Sequence, residues 1–263
     1  MPAGDDGTLK RGRLLHVTDC CVHVTHRCHD RQFLLRFERD RRNYVSRLRE
    51  TASRFAVEIL DYTITSNHVH LLLWAPRLEE VSAAMQFLQG VTARDYNRRR
   101  KRQGAYWSDR YNPTLIENGP HLSRCLFYIG MNMVRAGVVG HPREWAACGH
   151  DELIGRRQRY RVLSRERLLR CLEMPGRVEA FREWYGKTLA ELCEGAYRVR
   201  DPVWTESAAV GSREWVESLA ARVVVGRKSV VRATAPPQLE VGETAASYGL
   251  RLSRRQSEWL LSR

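Results

Sequence analysis

The sequence has no run of eighteen apolar residues, no Cys-X-X-Cys pair and very little lysine, and each absence removes a class of protein. Without a long apolar run there is no candidate transmembrane helix. Met1 to Arg13 is polar and basic without an apolar core, so no secretory signal is expected and the expected location is cytoplasmic. The seven cysteines (Cys20, Cys21, Cys28, Cys125, Cys148, Cys171 and Cys193) are odd in number and unpaired in spacing, which fits reduced thiols rather than a disulfide framework. Acidic residues are also short. Asp and Glu number 30 against 44 Lys and Arg, giving a formal charge of +14 and a pI near 9.9. Nearly all of those cations are arginine, whose planar fork matches phosphate and stacks on bases, so nucleic acid is the first expected partner and an anionic membrane surface the weaker one.

What is present is enough for one sizeable core and a second, smaller domain: 263 residues, 43% of them hydrophobic. The most informative stretch is Thr65-Ser66-Asn67-His68-Val69-His70-Leu71-Leu72-Leu73-Trp74. Side chains alternate faces along a strand, so His68 and His70 project from one side as a bidentate metal clamp, with Val69 on the other. The alternative is a pair of partly buried histidines bonded to backbone or water. The apolar run after them suits a central strand covered on both faces.

Upstream, residues 14 to 28 read as a strand and 38 to 55 as an amphipathic helix carrying Tyr44, Leu48 and Phe55. The cluster His23, His26, Cys28, His29 matches no standard structural zinc spacing, and a strand would turn His23 and His26 to opposite faces. Val57 to Thr65 is a second strand, joined to the histidine strand through Ser66-Asn67 as an antiparallel hairpin. Leu78 to Arg102 returns to a helical period, ended by Gly104. Its end is the densest basic block: Arg94, Arg98, Arg99, Arg100, Lys101 and Arg102, opposed only by Asp95. A solvated face is the ordinary reading of such a run, and phosphate binding is the expectation here. Trp107 and Arg110 follow among tyrosines, a pattern that suits base stacking with backbone neutralisation, although Trp107 suits a core equally well.

Residues 113 to 117 read as a strand, and Gly119-Pro120 opens a helix from His121 to about Ala136 that stops at Gly137. Leu122, Cys125, Leu126, Ile129 and Met133 form its core stripe. Tyr128 and Asn132, four residues apart, then stand about 40° apart on an adjacent face. The first six elements follow the βαββαβ order of a ferredoxin-like α+β fold, with the Tyr128 helix added. Beyond residue 150 the texture is mainly helical: Ser164 caps a helix from Arg165 to Met174, and further helices run from Val178 to Glu194 and Arg213 to Arg222. Ala235-Pro236-Pro237 reads as a linker, and Ser253 caps a last helix with Trp259 and Leu260. The expected division is a catalytic domain over 1–150 and a small helical DNA-binding accessory over 151–263.

On these residues the chain resembles the REP-associated tyrosine transposases, Y1-type members of the HUH single-strand nucleases. The resemblance covers roughly residues 14 to 150. It rests on the Asn67-to-Leu73 strand, on Tyr-Asn-Arg-Arg-Arg at 96–100 with Trp107 and Arg110, on Tyr128 to Gly137, and on His141-Pro142-Arg143-Glu144-Trp145. The segment from Trp204 to Ser212 is similar to the C-terminal extension of longer members. Met133 stands where the family usually has proline, which removes an expected kink. The resemblance implies a divalent metal, Mg2+ or Mn2+, held by His68, His70 and Asn132. It also implies Tyr128 as a nucleophile forming a 5′-phosphotyrosine bond, and repetitive palindromic hairpin DNA as substrate in a bacterial, nucleoid-associated setting. The active unit is a monomer or a dimer. The competing expectations are a replication-initiator or relaxase-like nickase, which uses the same residues, and a non-catalytic nucleic-acid-binding module, against which stands the lack of an RNP-like aromatic strand.

Overall fold

The computed structural model describes residues 17–195, 201–222, 230–233 and 248–251. The basic leader, the Ala235-Pro236-Pro237 linker and the helix expected after Ser253 lie outside the described residues. The first seven elements are β1 (Thr18–Arg27), α1 (Glu38–Arg54), β2 (Glu58–Ile64), β3 (His68–Arg77), α2 (Leu78–Arg100), β4 (Asn112–Ile116) and α3 (Pro120–Gly130). The strands lie in the order β2-β3-β1-β4 and every pairing among them is antiparallel, the topology of the ferredoxin-like βαββαβ unit. The hairpin turn is as short as expected. Thr65 N–H donates to the His68 carbonyl at 2.9 Å, leaving Ser66 and Asn67 as its two central residues. Among the described residues no helix is long and apolar enough to cross a membrane.

Period-two alternation divides the sheet's residues between two cores. Val22, Val24, Val69, Leu71, Leu73, Tyr62 and Ile64 pack with Tyr44 and Leu48 of α1 and Val81, Met85 and Leu88 of α2. Cys21, Leu60, Leu72 and Ile116 pack on the opposite face with α3. This second face carries His23, His68 and His70, because each is in phase with Cys21 or Leu72 along its strand.

Ten of the eleven residues of α3 are buried, and a helix covered all round needs a second layer on its outer side. Residues beyond 150 supply it. After α4 (Asn132–Arg135) and α5 (His150–Leu153) come α6 (Arg165–Cys171), α7 (Val178–Glu194), α8 (Val203–Glu206) and α9 (Arg213–Arg222). Phe127 of α3 stacks on Tyr185 of α7 with ring centroids 5.4 Å apart and meets Trp184 edge-on at 5.2 Å. Three strands also lie in this region: β5 (Ala209–Gly211), which runs parallel to β4, then β7 (Tyr248–Arg251) and β6 (Val230–Ala233) in spatial order, extending the sheet to seven strands. The mainly helical texture expected after 150 is thus only part of what is there, since strands of three and four residues are too short to register as a period. The boundary expected at 150 does not coincide with a break in the core among the described residues. Truncating Phe181, wholly buried in that core, to alanine is expected to cost about 3–5 kcal/mol. Thermal unfolding followed by circular dichroism will show one cooperative transition at a lower midpoint. Two separated transitions would mean that the outer layer folds on its own.

Three local expectations are corrected. The expected helix 121–136 is interrupted at Met131, where ψ is 2° and α3 gives way to α4. No proline is involved: the Arg135 guanidinium donates to the Tyr128 carbonyl at 2.7 Å, satisfying that carbonyl from a side chain at the interruption. The left-handed residue that closes α2 is Lys101 (φ 49°), three positions before Gly104. Ser164 stands at the start of α6 but its hydroxyl donates to the Glu58 carboxylate instead of capping the helix.

Candidate active site

β1 and β3 pair so that Thr25 faces His70 and His23 faces Leu72, which sets His23 diagonally beside His70 on the α3 face. The two imidazoles stack at 5.2 Å with an interplanar angle of 11°. His23 Nδ1 lies 2.8 Å from the Trp204 carbonyl and His23 Nε2 lies 3.0 Å from His70 Nδ1. A carbonyl only accepts, so the first contact requires the proton on His23 Nδ1. His23 Nε2 must then accept from His70 Nδ1–H. The relay leaves the proton off His70 Nε2, which accepts from Asn132 Nδ2 at 3.0 Å.

His68 is fixed in the same tautomer by different groups. Its Nδ1 lies 2.7 Å from Asn67 Oδ1 and 2.9 Å from Thr65 Oγ1, and the Thr65 hydroxyl itself donates to the His68 carbonyl at 2.8 Å. Both histidines therefore carry their proton on Nδ1 and present Nε2 as a base, which is how an imidazole ligates a cation. Burial pushes His23 down to about 4, only partly offset by the Trp204 carbonyl. It also holds His70 well below the ordinary imidazole value, with His68 and His23 adding to the effect. Both are neutral near pH 7.

α3 and α4 bring Tyr128 and Asn132 to the same place. A cavity of about 540 Å³ is lined by His68, His70, Tyr128, Asn132, Arg110 and Arg135, among others. The Tyr128 ring meets His23 and His70 edge-on at 6.0 and 5.9 Å, lies 6.0 Å from the Trp204 ring, and carries the Arg135 guanidinium 4.0 Å from its centroid. The tyrosine is only 2% exposed although it lines the cavity, so it sits in a desolvated wall rather than on a rim.

The sequence-derived site residues separate into two groups. His68, His70, Asn132, Tyr128 and Arg110 come together, joined by Arg27 and Arg135, which sequence reasoning did not select. The basic block lines no part of this cavity. Arg99 pairs with Asp40 of α1, Arg98 lies 3.5 Å from Asp95, and Arg102 donates to Asn97 and to the Gly104 and Ala105 carbonyls. Arg94, Arg98, Arg100 and Lys101 remain exposed on the surface. Trp107 packs on the α1/α2 core, donates to the Gln89 carbonyl at 3.2 Å and stacks on His26 at 4.1 Å, so it props a cavity-lining residue from behind.

His23 and Trp204, like Arg27 and Arg135, were not selected as site residues from the sequence. The only signal for His23 was its phase with Cys21, which becomes informative once the β1–β3 register is known.

Among the described residues no group of three or more His, Cys, Asp or Glu is placed to hold a metal ion. The donors converging here are two imidazoles and an amide, a set that leaves room for phosphate oxygens and water around a hard divalent cation.

No curated protein matches the chain. A solved structure of a REP-associated tyrosine transposase bound to a REP hairpin is 16% identical, with a TM-score of 0.45, covering 56% of this chain and 87% of that one. A crystal structure of a chain from Deinococcus radiodurans R1 described as a transposase is 18% identical, with a TM-score of 0.34, covering 49% and 98%. Residues 16–131 match the family described as "Transposase IS200 like". Over those residues, less than half of its length, the chain is similar to the IS200-like transposases.

Proposed function

We propose that this chain is a transposase, a metal-dependent single-stranded DNA endonuclease and strand transferase in which Tyr128 forms a 5′-phosphotyrosine intermediate on hairpin-bearing repetitive DNA. The observation that carries the reading is the convergence of His68 and His70 of β3, Tyr128 of α3 and Asn132 of α4 on one cavity. The hairpin expectation comes from the resemblance of the sequence motifs to the REP-associated tyrosine transposases.

His68, His70 and Asn132 would hold the cation, the amide turning its Oδ1 inward. When bound, a divalent cation polarises the scissile phosphate and neutralises charge that develops on it. Arg27, Arg110 and Arg135 line the same cavity and supply fixed positive charge to the DNA backbone, while the exposed Arg94, Arg98, Arg100 and Lys101 add a longer-range attraction. Tyr128 Oη attacks phosphorus in line, the phosphorus–O3′ bond breaks, and the proton that leaves the phenol ends on the departing 3′ oxygen. A later 3′-hydroxyl attacks the phosphotyrosine, restoring a phosphodiester and the phenol. The bond energy is conserved, so rejoining needs no nucleotide cofactor.

The test is cleavage of an end-labelled single-stranded hairpin oligonucleotide with Mg2+ or Mn2+, with and without a chelator. Chelation is expected to abolish cleavage and added metal to restore it. Cleavage that persists under chelation would remove the metal role of His68, His70 and Asn132. Binding without cleavage under any condition would favour the non-catalytic module.

A further inference from the structure

A second cavity, of about 480 Å³, opens between α1 and the segment 146–162, and it shares no lining residue with the candidate active site. Its floor is apolar, with Val45 and Val162, and five arginines surround it against a single acid, Glu38. Two of the five are committed to the fold. Arg157 donates to Tyr62 Oη at 3.0 Å, and Arg41 donates to the Leu35 carbonyl at 3.1 Å and lies 4.4 Å from the Trp145 ring. Arg42, Arg49 and Arg159 remain at the opening. Arg42 lies 3.7 Å from Glu38, both side chains more than half exposed, an ion pair too solvated to hold it.

The fourth element of the opening is Tyr160. Its side chain is the most exposed large hydrophobic of the chain's described residues at 78%, and the Arg49 guanidinium lies 5.1 Å from its ring. Its φ is 53°, a left-handed conformation that a bulky side chain adopts only at a cost. The backbone therefore holds an aromatic face outward over a basic, apolar-floored cavity.

We propose that this cavity is a second binding site for single-stranded DNA, taking one unstacked nucleotide with its base against Tyr160 and its phosphate among Arg42, Arg49 and Arg159. Its volume lies in the range of small-ligand sites. The combination of an aromatic face with guanidinium groups suits single strands, because every base has a π-face and every nucleotide a phosphate. The inference rests on the reading of the chain as acting on single-stranded DNA.

The experiment uses the full chain and a fluorescein-labelled oligodeoxythymidylate carrying 5-bromouracil, read by anisotropy and by photocrosslinks mapped by mass spectrometry. Tyr160→Ala, which keeps the same backbone preference, is expected to weaken binding about fivefold or more. Arg49→Glu with Arg159→Glu is expected to weaken it further and flatten the salt dependence by about one to two units of slope. Crosslinks are expected at Tyr160 in the wild type. Unchanged affinities and no crosslink within 146–162, in protein that still forms the Tyr128 adduct, would overturn this site and leave the proposed function standing. A crosslink at Tyr160 in protein that forms no adduct would support the site and count against the catalytic reading alone. Variants that bind the oligonucleotide normally but lose binding to phosphatidylserine vesicles would overturn the proposal in favour of a lipid headgroup.

Discussion

Tyr128→Phe is expected to bind single-stranded DNA as the wild type does and to form no covalent adduct, with cleavage reduced about a thousandfold or more. The substitution removes one oxygen from a ring held by His23, His70, Trp204 and Arg135, and none of those ring contacts depends on the hydroxyl. The fold and the cavity should therefore survive, which separates loss of the nucleophile from loss of structure. Denaturing electrophoresis after incubation with a 5′- or 3′-labelled oligonucleotide reads both ends of the reaction. An adduct that persists in Tyr128→Phe would assign the chemistry to another residue.

The second large effect is expected at the histidines. His70→Ala removes a base that the fold has prepared: its proton is held on Nδ1 by His23, burial keeps it neutral, and its Nε2 meets Asn132. Cleavage is expected to fall about a thousandfold, because the loss falls on the group that would hold the cation nearest Tyr128. His23→Leu makes the complementary test. His23 has no direct approach to the cation in this reading and acts through His70, so its loss is expected to weaken metal affinity about 10- to 100-fold. Raising the metal concentration should then restore much of the rate in His23→Leu and little in His70→Ala. Titration of cleavage against Mn2+ measures both. A rate in His23→Leu that falls with no change in the half-saturating metal concentration would mean that His23 serves the core alone.

The parts of this site legible in the sequence are those set by local geometry. Val69 between His68 and His70 set both imidazoles on one face of a strand, and the spacing of four from Tyr128 to Asn132 kept those two on one side across the interruption at Met131, so the structure brings all four to one cavity. The order of strands and helices through β4 was legible for the same reason: each element carries its own period. What was not legible depends on register and on distant contacts. His23 reaches His70 only through the β1–β3 pairing, and the carbonyl that sets its tautomer comes from Trp204, 181 residues away. In the basic block the charge density was legible and the internal pairing was not: Arg99 meets the nearly buried Asp40 of another helix and Arg102 the carbonyls of its own turn, while Arg94, Arg98, Arg100 and Lys101 stay exposed. Sequence spacing cannot show which cations have been taken up by acids elsewhere in the chain. The interruption at Met131 was equally hidden, since no helix-breaking residue marks it and the Tyr128 carbonyl there is met by the Arg135 side chain.

The most direct test of the central claim is to map the covalent bond itself. The wild-type chain is incubated with a single-stranded hairpin oligonucleotide and Mn2+, the adduct is digested with nuclease and protease, and the modified peptide is sequenced by mass spectrometry. A nucleotide attached through its 5′-phosphate to Tyr128 is the predicted result. A bond to any other residue, or a 3′-linked nucleotide on Tyr128, would contradict the assignment of this cavity as the active site.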